Sequence, residues 1–122
     1  MITHPRTEEL AQAVARWVDS IRPELGPREA FLARVAGNIL GVIGRELTLG
    51  PAAQAAATDR LIVLLDHGGD YAELNTRLCQ RLREGTMDAA TPGLIAALKA
   101  NVLDQLAIDQ PNYKHEGQPL GA

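Results

Sequence analysis

The sequence predicts an all-α fold: a compact bundle of about five helices with short connections. Three observations carry the prediction. The apolar residues are dominated by 19 Ala and 17 Leu, against 13 Val and Ile together, and aromatics make up only 3%. Ala and Leu lead the helix-propensity ranking, whereas β-branched and aromatic residues favour strands. Apolar residues recur three and four apart in five successive stretches, and Gly and Pro fall between those stretches. At 122 residues the chain has an ordinary single-domain length. Residues 1–110 therefore read as one helical domain, and 111–122 as a polar, Gly- and Pro-rich, flexible tail.

The first stretch runs from Thr7 to Pro23 or Leu25. Thr7 is a suitable N-cap, and Glu8 and Glu9 follow in the first turn, where the helix dipole favours acids. Leu10, Val14, Trp17, Val18, Ile21 and Leu25 form its apolar stripe. The second stretch opens at Pro27, a favourable first-turn residue, and is expected to stop at Gly50-Pro51. The third begins at Pro51, is rich in alanine, and presents Leu61, Leu64 and Leu65 to the core. Gly68 is placed to take a left-handed cap conformation after it.

Asp70 and Glu73 give the fourth stretch the layout of a capping box. Its inner stripe is Tyr71, Leu74, Leu78 and Leu82, and Gly85 ends it. The fifth starts at Thr91-Pro92 and runs to about Asp109, with Leu94, Ile95, Leu98, Val102 and Leu106 facing inward. Connections this short imply antiparallel neighbours.

The second stretch contains RVAGNILGVIGREL, residues 34–47, with glycines at 37, 41 and 44. A phosphate-binding glycine loop needs a strand before the glycines and a helix starting at them. Here PREAFLARVA already has helical spacing, and the glycine spacing matches neither the dinucleotide fingerprint nor the Walker pattern. On a wheel of about 100° per residue, Phe31, Leu32, Val35, Ala36, Ile39, Leu40, Val42, Ile43 and Leu47 form one broad apolar arc. Ala30, Ala33, Gly37, Gly41 and Gly44 form a smooth face beside it. Each helical Gly costs about 0.5–1 kcal/mol relative to Ala, so Ala33, Gly37, Gly41 and Gly44 read as a close-packing face. Two occupants fit it. One is another helix of this chain, either the alanine-rich third stretch or Ala96-Ala97 of the fifth; the other is a second protein or flat ligand.

Arg34, Asn38 and Arg45 complete the wheel as a polar edge. They form either a solvated strip or a site for an anion or a partner's carboxylate, because a guanidinium binds such groups through two parallel hydrogen bonds. Glu46 falls inside the apolar arc, where it either reaches solvent or needs an arginine partner.

Catalytic candidates are sparse. The three histidines, His4, His67 and His115, share no helix face, and there is no HExxH. Asp66, His67 and Asp70 lie together, but turns are rich in such residues. Cys79 sits beside a core stripe with no histidine near it in sequence, and Ser20 has no activating neighbour. No catalytic residue, metal site or cofactor is assigned. Net charge of −3 and a pI near 5.5 oppose nucleic-acid binding, which favours a basic face; a DNA-contacting role for Arg77, Arg81 and Arg83 is the least favoured reading. No apolar run reaches membrane-spanning length, and the N-terminus lacks signal-peptide layout, so a cytoplasmic protein is expected.

Three segments together carry a resemblance: FLARVAGNILGVIGRELTLGP, HGGDYAELNTRLCQRLREG and LKANVLDQLAIDQPNY. Over roughly residues 10–113 the chain resembles a small bacterial all-helical family of unknown function. Genes of that family often lie beside aminoglycoside-phosphotransferase-like kinases and acyl-CoA dehydrogenases. The resemblance brings no site residues. It implies an accessory or interaction module that self-associates or partners such a kinase or dehydrogenase in acyl-CoA catabolism. The alternative is a small anionic-ligand-binding or auxiliary enzymatic protein using Arg34, Asn38 and Arg45.

Overall fold

In a computed structural model, residues 3–114 are described. They contain four α-helices and no strand: α1 (Thr7–Ile21), α2 (Pro27–Leu65), α3 (Tyr71–Glu84) and α4 (Leu94–Asp109), with a 3-10 turn at Arg22–Glu24. The all-α class holds, but the helices number four rather than about five. Backbone contacts gather the chain into two compact units, Met1–Gly50 and Pro51–Ala122. Of the polar tail, 115–122, including His115, lie outside the described residues.

The count differs because Gly50-Pro51 does not stop a helix. Pro51 lies within the 39-residue α2. Its ring removes the N–H that would reach the Leu47 carbonyl and crowds that carbonyl, at about 3 kcal/mol. Two neighbours lighten the penalty. Gly50 has no Cβ to collide with the proline ring, which is the usual reason that the residue before Pro leaves the helical region. The sequence AAQAAA follows at once, so the helix propagates through good formers without a new nucleation step.

Unit 1 begins at α1. The N-cap is Arg6, not Thr7, and its backbone N–H donates to a Glu9 carboxylate oxygen at 2.8 Å. The chain then reverses through the 3-10 turn, where Pro23 sits at the start, into α2. Among the described residues of this unit, burial is confined to the small Ala11 and Gly44.

Unit 2 has a conventional core. Leu61, Leu65, Leu74, Leu78, Met87 and Leu94 form one buried cluster, with Ile62, Leu64 and Leu98 packed against it. Asp70 caps α3, accepting from the Glu73 N–H at 2.9 Å, and Gly85 ends it with φ 78°. Two predicted boundaries shift. The left-handed residue after α2 is Asp66 (φ 50°), not Gly68. The His67 N–H then returns to the Ile62 carbonyl, the six-to-one bond that satisfies a helix end; a short polar side chain tolerates that conformation. Nor does Thr91 cap α4. It closes a turn, its hydroxyl accepting from the Asp88 N–H at 3.0 Å, and Gly93 with φ 84° leads into the helix at Leu94. Tyr71, Leu82, Ile95 and Val102, expected inside, are exposed, whereas Met87, in the connection, is buried.

Candidate interaction surface

The glycine face of α2 borders α1 at Gly41 and Gly44. Gln12 and Ala15 line a groove of about 380 Å³ together with Leu40, Gly41, Gly44, Arg45, Thr48 and Leu49. Gly44 is buried, while Ala33, Gly37 and Gly41 are half-buried. The helix beside Gly41 and Gly44 is the first of the chain, and the third predicted stretch is the continuation of α2 itself. The fit is loose. Apart from the helix's own backbone, a Cβ built on Gly37 or Gly44 would meet nothing within 4 Å, and one on Gly41 would come within 3.1 Å of the guanidinium of Arg45. At Gly37 and Gly44 no neighbour makes the close approach that a glycine would permit.

The polar edge does not converge. Arg34 and Asn38 are exposed and Arg45 is half-buried. Arg34 and Arg45 are separated by about 16 Å of helix rise, too far for both to grip one small anion. Arg45 lies against the groove; Arg34 and Asn38 do not line it. Glu46 is exposed and folds along the helix, its carboxylate 3.1 Å from where a Gly50 Cβ would stand.

The apolar arc is the conspicuous feature of unit 1. Leu40 lines the groove beside α1, but most large side chains of the arc are exposed. Phe31 is 56% exposed, Ile39 54%, Leu32 51% and Ile43 43%. Leu10, Val14 and Trp17 on α1 are exposed as well, Trp17 by 61%. Isolated exposed apolar residues are ordinary, but contiguous patches beyond a few hundred Å² mark interaction sites.

Unit 2 holds a second concavity, of about 550 Å³, between the end of α2 and the start of α4. It is walled by Val63, Leu64, Ala96, Ala97 and Ala100, with Asp59 and Arg60 at its rim. The Arg60 guanidinium is already engaged, donating to Asn101 Oδ1 at 2.8 Å and Asp104 Oδ2 at 2.9 Å. This cluster went unread in the sequence because its members are 41 and 44 positions apart, and no local pattern marks such a pairing. Arg81 donates to the Leu65 carbonyl at 3.4 Å, so one arginine of the least favoured reading serves a helix end; Arg77 and Arg83 are exposed. Among the described residues, no three His, Cys, Asp or Glu side chains gather as metal ligands, and no helix is long and apolar enough to cross a membrane.

Residues 23–113 match the family described as Domain of unknown function (DUF6285). The chain belongs to this family. The match takes in the whole of α2, α3 and α4 and begins after α1, so the DUF6285 span includes the apolar arc and the core of unit 2 but not α1. No curated protein and no solved structure matches the chain.

Proposed function

We propose that this protein is a non-catalytic accessory module that associates with protein through the apolar arc of α2, working in the cytoplasm beside an aminoglycoside-phosphotransferase-like kinase or an acyl-CoA dehydrogenase of acyl-CoA catabolism. The observation that carries the reading is the exposure of the arc in unit 1. Phe31, Leu32, Ile39 and Ile43 leave between 43% and 56% of their area in water, so much of their burial energy is not realised within the chain. Each large apolar side chain is worth about 1.5–3 kcal/mol when fully buried. Association is the event that collects this energy.

The test uses the full chain and purified enzymes of those two classes. At about 10 µM, a concentration at which affinities near −7 kcal/mol register, the chain is expected to associate with itself or with one of the enzymes. Phe31→Asp together with Ile39→Asp is expected to abolish that association while leaving helicity intact. A chain that stays monomeric and binds neither enzyme sinks the reading.

A second reading has one observation behind it. The groove beside Arg45 is within the volume range of small-molecule sites and places a guanidinium against apolar walls. It predicts saturable calorimetric binding of a short-chain acyl phosphate or carboxylate that Arg45→Met removes. Of the three residues of the polar edge, only Arg45 would take part.

A further inference from the structure

Resting on the reading of the apolar arc as a docking surface, we infer that its occupant is a second copy of this chain, with the two α2 helices packed antiparallel about a two-fold axis at the level of Gly37. The argument begins with the order of residues along the arc. Arg28, Leu32, Val35, Ile39, Val42 and Glu46 follow one another at alternating spacings of four and three. That is the spacing of a seam between two helices packed knobs-into-holes. Its four inner members are apolar and its two ends are charged with opposite sign.

The ends specify the partner. Arg28 and Glu46 are eighteen residues apart, about five full helical turns, so they lie on the same face of α2. Both are exposed, and neither makes an ion pair among the described residues. In an antiparallel pair centred on Gly37, each residue meets the one equally far beyond the centre. Arg28 then faces Glu46 of the second copy, Leu32 faces Val42, and Val35 faces Ile39. Each pairing occurs twice, as a two-fold interface requires. A parallel pair would set Arg28 against Arg28 and Glu46 against Glu46, which repels at both ends. A single helix face therefore carries its own complement, in one orientation only.

Along α2, Phe31, Leu32, Val35, Ile39, Ile43 and Leu47 each leave between 38% and 56% of their area exposed. Glu46, a misfit inside an apolar arc when the chain is considered alone, becomes the residue that sets register.

Sedimentation equilibrium on the full chain tests this. The wild type is expected to sediment as a dimer at about 10 µM, and Ile39→Lys at the monomer mass of 13.1 kDa. Arg28→Glu and Glu46→Arg are each expected to weaken dimerisation by about tenfold or more, because each places two like-charge pairs in the interface. The double variant Arg28→Glu/Glu46→Arg restores the pairs with reversed sign and is expected to return to within about threefold of wild type. A wild-type chain still monomeric at about 100 µM overturns the self-association. If that monomer binds one of the purified enzymes through the arc, the docking reading stands without this inference. A dimer that Ile39→Lys leaves intact overturns both. A dimer broken by Ile39→Lys but not rescued in the double variant overturns the antiparallel register.

Discussion

Units 1 and 2 draw on the same residue types and treat them oppositely. In unit 2, leucines from α2, α3 and α4 point at one another, and Leu61, Leu74 and Leu94 are at most 2% exposed. Among the described residues of unit 1 only Ala11 and Gly44 are buried, while Phe31, Ile39 and Trp17 are more than half exposed. Two helices with apolar stripes can meet through those stripes or through the smoother faces beside them. Unit 2 takes the first course and satisfies itself. Unit 1 takes the second, and its stripes remain as surface. An amphipathic pattern therefore says that a helix has a face to bury; it does not say that its own chain does the burying.

The largest expected effect tests this contrast directly. Leu74→Ala should destabilise the protein by about 2–5 kcal/mol, since a fully buried leucine loses its transfer energy and leaves a cavity. Ile39→Ala, an equally apolar truncation in unit 1, should change the stability of the dilute monomer by less than about 0.5 kcal/mol, as exposed substitutions do. Urea unfolding below the concentration at which the chain associates measures both. Comparable losses at the two sites would mean that Ile39 is packed within its own chain.

A smaller effect of opposite sign is expected at the glycine face. Gly37→Ala places a methyl where nothing lies within 4 Å, in a helical backbone that alanine prefers, and should stabilise by about 0.5–1 kcal/mol. Gly44→Ala should act in the same direction while narrowing the groove that Gly44 lines. A loss of stability at either position would restore close packing, the expectation drawn from the glycines alone. Thermal denaturation of the single and double variants separates the two outcomes.

Local chemistry made much of the fold legible. Asp70 with Glu73, and Gly85, mark the ends of α3 because capping bonds and a left-handed residue are determined within a few positions. Leu61, Leu65, Leu74 and Leu78 were readable as core from spacing alone. Pro51 was misleading because a proline penalty is local, whereas the helix it interrupts is favoured by residues on both sides. The arc of α2 was readable as a stripe, yet its exposure was not, since that depends on which residues of α2 lie beside α1. Arg60 with Asn101 and Asp104 left no trace in the sequence, because residues brought together by the fold follow no local period. The candidate surface was thus half legible: the residues were evident, and their partner was not.

The smallest effect belongs to the entry of α1 and asks whether unit 1 is held by local terms as well as by burial. The Arg6 backbone N–H bonded to Glu9, aided by the charge of Arg6 and by His4, holds the Glu9 carboxyl below its ordinary pKa of 4.5. A carboxylate whose pKa is lowered on folding adds stability that is present above the unfolded value and is lost as pH falls through the folded one. Glu9→Gln keeps an oxygen acceptor and removes the charge. The variant should therefore be less stable than wild type at neutral pH, and the difference should shrink as pH drops below about 4.5 until the two curves merge. Glu9 is well solvated, so the gap is expected to be small and to narrow with added salt. Parallel thermal melts from neutral to acidic pH would show it. A difference that is constant with pH would assign the helix start to the geometry of the hydrogen bond rather than to its charge.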